Sequence, residues 1–276
     1  MTSWSASDTS MSSIAIQSAS KPLDATVTIP GSKSLTNRAL VAAALADGTS
    51  VLSNALFADD TQHMMDALRG FGFAVTAHAA DGEPDANRIE VTGCGGHVPN
   101  SEADCFCGNS GTTIRFCTAL AALGRGRYRL DGVTRMRQRP IEPLGDAIQM
   151  LGGGVEYHGE QGYPPLTVHA RGLSGGTVTF DNPKSSQFVS ALLLAAPAAA
   201  SDVMIEVKGA LVSAPYVQMT TAIMSAMGPV VLEEIRPDSA RFVVAARQPY
   251  HARNLAIEPD ASNASYFLAA PAVAGG

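Results

Sequence analysis

Four short stretches of small, hydroxyl-bearing and basic residues each lead into an apolar run. They are Gly31-Ser32-Lys33-Ser34, Gly108-Asn109-Ser110-Gly111-Thr112-Thr113, Lys184-Ser185-Ser186-Gln187 and Asp260-Ala261-Ser262-Asn263. At the start of a helix such residues sit where unpaired N–H groups and the positive end of the macrodipole favour phosphate or carboxylate. Plain N-capping accounts for any one of them equally well. It accounts less well for a lysine, an Asn-Ser-Gly-Thr turn and a Ser-Ser-Gln run at equivalent positions. Basic residues add to the pattern. Arg38 lies one helical turn beyond Ser34, Arg115 stands similarly after the glycine turn, and Arg135, Arg137 and Arg139 precede Pro140, which suits a first helical position. Guanidinium groups bind phosphate and carboxylate through paired hydrogen bonds. Arg127 and Arg129 alternate along an expected strand and read as a solvated face, while Lys184 is open between a ligand rim and bare surface.

The elements that must position these residues form an internal repeat. Lys33, Asn109, Ser185 and Ala261 fall about 76 residues apart. The first unit is expected to run strand 25–30, helix 34–46, strand 50–54, helix 60–70, then strands 73–78 and 88–92. The second has helix 112–123, strand 127–130, helix 141–151 and strands 155–157 and 166–169. The third has strand 177–180, helix 186–196, strand 203–207, helix 215–227 and strands 230–233 and 241–245. Glycines follow the second helix of each unit at Gly72, Gly154 and Gly228, where a left-handed cap carries no Cβ penalty. A fourth unit is expected to begin near Asp260 and to break off at Gly276. Packed about a common axis, the three units would bring their helix starts to one face, a site for a polyanion.

The 276 residues are 46% hydrophobic and 16% charged, enough for a sizeable core, and the formal charge of −6 argues against nucleic acid as a partner. It does not exclude a small anion, because local positive charge can sit in an acidic protein. Cys105-Phe106-Cys107 lacks a second pair or a His cluster, so the four cysteines read as free thiols and zinc is not expected. No apolar stretch is long enough for a membrane span. The Ser- and Thr-rich residues 1–20 read as a flexible tail in which Trp4 packs nowhere, not as a secretory signal; a cytoplasmic protein is expected.

Taken together, the motifs resemble the EPSP synthase family. Pro30-Gly31-Ser32-Lys33-Ser34 with Asn37-Arg38-Ala39 is similar to the family's N-terminal signature. The turn at residues 108–112, Arg139-Pro140-Ile141, Ser185-Ser186-Gln187-Phe188 and Ser213-Ala214-Pro215-Tyr216 follow in the family's order. Asp260-Ala261-Ser262 with Ser265-Tyr266-Phe267 matches the next unit. The match covers nearly everything from Lys21 to Gly276.

The resemblance implies an α/β (α+β) fold, an inside-out α/β barrel of three βαβαββ repeats. It implies a complete domain over residues 33–247, a crossover strand over 21–32 and the start of a second domain over 248–276. The implied reaction transfers the enolpyruvyl group of phosphoenolpyruvate to the 5-hydroxyl of shikimate 3-phosphate, without a metal or other cofactor. By resemblance Lys33 is catalytic and touches both substrates. Ser34, Arg38, Ser185, Ser186, Gln187, Ser213 and Tyr216 join it on shikimate 3-phosphate, and Asn109, Gly111, Thr112, Arg139 and Gln187 on phosphoenolpyruvate. Asp260 is implied to order the helix start and not to carry protons. Ser110 and Phe116 depart from the alanine and proline common in plant and enteric forms. Gly111 is kept, which implies glyphosate sensitivity in the full-length enzyme. The family's general-base aspartate, a glutamate and several basic residues fall in its second domain, so these 276 residues alone are expected not to turn over. Two rivals stand beside this expectation: a non-catalytic shikimate 3-phosphate-binding domain, and the sister transferase acting on UDP-N-acetylglucosamine. The latter carries a reactive cysteine on a loop that has none here before Arg139.

Overall fold

Alternating strands and glycine-ended helices build the same small sheet three times in the computed structural model, which describes residues 21–79 and 87–275. The first repeat comprises α1 (Lys33–Leu45), β1 (Ala46–Ser53), α2 (Asp59–Gly70), β2 (Ala74–His78) and β3 (Arg88–Cys94). The second comprises β4 (Glu102–Phe106), α3 (Gly111–Ala122), β5 (Arg125–Asp131), α4 (Glu142–Met150), β6 (Gly154–Tyr157) and β7 (Leu166–Arg171). The third comprises β8 (Gly176–Asp181), α5 (Ser186–Ala195), β9 (Val203–Lys208), α6 (Ala214–Ala226), β10 (Val231–Arg236) and β11 (Ser239–Val244). β12 (Tyr250–His251), β13 (Asn254–Ala256) and α7 (Ala261–Ala274) follow.

In the second and third repeats the leading strand pairs in parallel with the next, and a β-hairpin completes the sheet, giving the orders β4-β5-β7-β6 and β8-β9-β11-β10. The first sheet keeps the β1-β3-β2 part of this order. Its leading parallel place is filled from the far end of the chain, by β12 at Ala46 and Asp47 and by β13 at Val51 to Ser53. The strand expected at residues 25–30 is therefore not formed. With β3 on one edge of β1 and β12 and β13 on the other, no ladder is left for it. Two backbone hydrogen bonds secure the approach to α1 instead, Ser32 N–H to Glu258 O (2.8 Å) and Asp260 N–H to Pro30 O (2.9 Å). Gly31 is needed here because a Cβ would strike the Asn54 carbonyl.

The first helices of the repeats are the core. Every residue of α1 from Thr36 to Leu45 is buried, as is every residue of α3 from Thr113 to Ala122 and all of α5 except Gln187. A helix apolar on all sides must lie inside, and the alanines of α1 and α3 let neighbours approach closely, which is how a chain poor in aromatics fills its interior. The second helices are two-sided: α4 buries Leu144, Ala147 and Ile148, and α2 buries Met64, Met65 and Leu68. The sheets lie outside the helices, burying one face each, as with Val203, Ile205 and Val207 of β9. This is the inside-out α/β arrangement.

Residues 29–260 form one compact unit, and α7 with residues 21–28 a second. α7 begins at Ala261, where the fourth helix start was expected, and buries none of its residues. The tail expected over residues 1–20, with Trp4, lies outside the described residues. Among the described residues no helix is long and apolar enough to cross a membrane, and no cluster of His, Cys, Asp or Glu is arranged to hold a metal. The cysteines are free, with Cys105, Cys107 and Cys117 buried.

Candidate functional site at the helix starts

In the second and third repeats the first helix links two parallel strands, and in all three the second helix follows the strand after the first helix, so the helices run together, opposite to those strands. Their N-termini share one end of the unit. Hydrogen bonds tie these starts to one another. Thr113 Oγ1, in the first turn of α3, donates to Asp60 O in the first turn of α2 (3.1 Å), and the Asp60 carboxylate meets Lys33 Nζ of α1 at 3.1 Å. Gln187 of α5 donates through Nε2 to Thr112 Oγ1 of α3 (3.1 Å) and accepts at Oε1 from Arg115 Nη1 (3.0 Å). Arg115 Nη2 donates to Pro140 O (3.0 Å), just before α4.

The three arginines of the 135–139 segment separate into different tasks. Arg137 grips Asp131 through Nε (2.9 Å) and Nη2 (2.7 Å), and Arg135 donates to Gln138 Oε1 (3.0 Å). Arg139 turns to the glycine turn and donates to Asn109 O (2.9 Å). There it meets Arg115 across Gly111. A Cβ on Gly111 would strike Arg139 Nη2 and come within 2.7 Å of Arg115 Nη1. Among the described residues neither arginine forms an ion pair. Burial lowers the pKa of Arg115 to about 10, helped by the charge of Arg139, so Arg115 stays protonated at neutral pH. Two cations held together without a carboxylate make a strong electrostatic demand for an anion. A cleft of about 740 Å³ opens beside them, with Ser185 and Gln187 on its wall and exposed Lys184 on its rim.

A second cluster lies between α1 and α6. Arg38 is only 2% exposed. It donates from Nε to Thr220 Oγ1 (2.7 Å), from Nη1 to Ser34 O (2.9 Å) and from Nη2 to Tyr216 O (2.9 Å), with Ser190 Oγ at 3.5 Å. Its guanidinium lies 5.3 Å from the centroid of Phe116 and 5.9 Å from that of Tyr216. Burial lowers its pKa to about 10. Arg38 is thus held from inside, beneath half-buried Ser34 and the exposed Tyr216 ring. Ser213, the N-cap of α6, is exposed and takes the left-handed conformation (φ 54°, ψ 45°) without a capping bond from its side chain. Strain of this kind in a serine collects at functional positions. Ser185 does cap its helix, accepting from Gln187 N–H (3.3 Å), and Ser186 is buried behind it. Asn109 is exposed and Thr112 half-buried.

The expected residues therefore gather as two linked groups, with Lys33 half-exposed beside them. Arg127 and Arg129 stay apart on β5, where Arg129 pairs with Asp104 and Asp131. Asp60, Ser190 and Thr220 were not singled out from the sequence. Asp60 looks there like an acidic residue complementing a helix dipole, and Ser190 and Thr220 lie inside apolar helices whose partner, Arg38, is distant in the chain.

The sequence profile described as EPSP synthase (3-phosphoshikimate 1-carboxyvinyltransferase) matches residues 17–276. The 3-phosphoshikimate 1-carboxyvinyltransferase of a Nostoc species is 47% identical over 266 residues, covering 96% of this chain and 61% of that protein. The protein of the same name from Nitrosomonas europaea is 44% identical over 251 residues, 91% of this chain and 56% of its own. Among solved structures, an EPSP synthase from Acinetobacter baumannii superposes with a TM-score of 0.76 at 23% identity over 93% of this chain and 54% of that one, a likeness of fold. The chain thus spans about three-fifths of the length of these curated relatives.

Proposed function

The chain belongs to the EPSP synthase family, and on that premise we propose that its helix starts hold shikimate 3-phosphate and phosphoenolpyruvate for enolpyruvyl transfer. The observation that carries this is the pair of un-neutralised guanidinium groups, Arg115 and Arg139, held against Gly111 beside the starts of α3 and α5. On this proposal Lys33, Ser34, Ser185, Ser186, Gln187, Ser213 and Tyr216 surround shikimate 3-phosphate, with the Arg38 charge beneath them. Phosphoenolpyruvate lies against Asn109, Gly111, Thr112 and Arg139, with Lys33 and Gln187 between the substrates. The 5-hydroxyl gives up its proton and adds to C2 of phosphoenolpyruvate while the methylene carbon takes a proton, and the resulting tetrahedral adduct then loses a proton from the new methyl group as it expels phosphate, restoring the carbon–carbon double bond. Lys33 swings from Asp60 to the developing charge; an exposed pair of this kind holds it by no more than about 1 kcal/mol. Fixed cations in a water-poor site are the main source of stabilisation.

Completing the reaction takes groups from the part of the family's length that these 276 residues do not span. Residues 33–247 supply the three-repeat domain, with 21–32 and 248–276 leading to the rest. Glyphosate competes at the Gly111–Arg139 subsite of the full-length enzyme, which works in the cytoplasm. The test is calorimetric titration of the 276-residue chain with shikimate 3-phosphate, with and without glyphosate, beside an assay for released phosphate. Saturable binding that falls at least tenfold in Ser185→Ala/Ser213→Ala, without turnover, is the expected result. Absence of binding would remove the assignment of the site, and turnover by the chain alone would remove the claim of incompleteness. A pure binding module is the rival. Full-length protein that binds both substrates without releasing phosphate would favour it.

A further inference from the structure

At the opposite end of the helices, about 20 Å from the site for a helix of α1's length, lies a cavity of about 610 Å³ that the proposed reaction does not use. It is where the links between repeats come together, residues 95–97, 172–174 and 247–250. Its apolar wall includes Leu45, Leu123 and Leu173. Three arginines reach it, Arg125, Arg171 and Arg247, against one carboxylate, Asp47, which is occupied by His251 Nδ1 (3.2 Å) and Ala252 N–H (3.3 Å). Three positive charges and one negative leave +2 in a protein whose overall formal charge is −6.

The fold does not require these charges. Arg125 and Arg171 stand directly opposite each other in the β5–β7 ladder, and like charges so placed are destabilising. Neither they nor Arg247 forms an ion pair among the described residues. They are not needed to cap helix carbonyls either. Leu45 O and Ala46 O accept from Gly96 and Gly95 N–H (2.8 and 2.9 Å), and Leu120 O and Ala121 O from Leu123 and Gly124 N–H (3.1 and 2.9 Å). Arg247 itself is held at φ 56°, a conformation costly for a side chain of its size.

We propose that this cavity is a second binding site, for a small organic dianion whose body lies on the leucines and whose charged head is gripped by Arg125, Arg171 and Arg247. Guanidinium forks suit a phosphomonoester or a paired carboxylate. The apolar wall favours a ligand with a hydrocarbon or aromatic body over a bare inorganic ion.

Phenyl phosphate, inorganic phosphate and phenol are titrated into the 276-residue chain while backbone amide resonances are followed. Phenyl phosphate is expected to shift Gly95, Gly96 and Gly172 saturably, several-fold more tightly than inorganic phosphate, with phenol weaker than both. Arg125→Gln/Arg171→Gln is expected to lose at least tenfold in affinity at those glycines while unfolding at an equal or higher urea concentration, since a repulsive pair has gone. Arg247→Gln, in the link rather than the sheet, gives a second variant with the same expected direction. Shifts confined to Gly108 and Gly111, no saturation at Gly95 and Gly96, or unchanged affinity in these variants would overturn the proposal.

Discussion

Removal of the Arg38 side chain tests whether a signature residue of this family also holds its fold together. Arg38 makes three hydrogen bonds of 2.9 Å or less to Thr220, Ser34 and Tyr216. Bonds from a charged donor are worth about 1.5–3 kcal/mol each. Against them stands the desolvation of a buried guanidinium, and the fall of its pKa from 12.5 to about 10 sets that cost at about 3 kcal/mol. Vacated space adds about 1–2 kcal/mol to the loss. Arg38→Ala is therefore expected to destabilise the chain by about 2.5–8 kcal/mol. At roughly 2–4 °C per kcal/mol for a unit of this size, the thermal midpoint falls by roughly 5–30 °C. Urea unfolding followed by far-ultraviolet circular dichroism gives the free energy, and Arg38→Met, which keeps most of the volume, separates packing from hydrogen bonding. If Arg38→Ala unfolds within about 1 kcal/mol of the parent, well below what a broken buried network costs, the guanidinium is not a strut between α1 and α6 and the reasoning fails.

Asp131 is expected to shape the acid limb of stability. Burial opposes its ionisation, but hydrogen bonds from Arg137 and the Gly132 N–H, with the charges of Arg137 and Arg129, outweigh it and hold its pKa below the usual carboxylate value. Its contribution is therefore full above the unfolded pKa of about 3.9 and is lost as pH falls through the lower native value. Asp131→Asn should be less stable at pH 7 and show a shallower decline between pH 5 and 2, and parallel curves would contradict this. Burial raises the Cys105 thiol to about 12 and pushes Cys107 and Cys117 well up, while Cys94 is shifted less and lies partly exposed. An aromatic disulfide reagent at pH 8 should label Cys94 first, with the others following at the rate of unfolding. Ser213→Gly relieves a left-handed serine, so stability should rise by about 0.5–1 kcal/mol while shikimate 3-phosphate binding weakens. A gain in both would remove Ser213 from the site. Gly111→Ala must displace Arg139. In the full-length enzyme it should raise the phosphoenolpyruvate KM and the glyphosate concentration for half-inhibition together, and inhibition equal to the parent's would contradict the placement.

The repeat, the order of its helices and the positions of the helix starts were legible in the sequence, because helix periodicity, glycine stops and hydroxyl-rich starts are local signals. So was the burial of α1, α3 and α5, since a helix apolar all round has nowhere else to go. Tertiary structure alone decided which basic residue is set against the glycine turn. Arg135, Arg137 and Arg139 look alike along the chain, yet Asp131 claims one, Gln138 another, and only Arg139 reaches Gly111. Arg38 found its partners in Thr220 and Tyr216, some 180 positions away by the chain numbering. The missing strand at residues 25–30 has the same cause. Its sequence is extended in character, but a strand needs an open edge, and residues 250–256 had taken the edge of β1. Local propensity names what a segment can become; competition for hydrogen-bond partners across the fold decides what it does become.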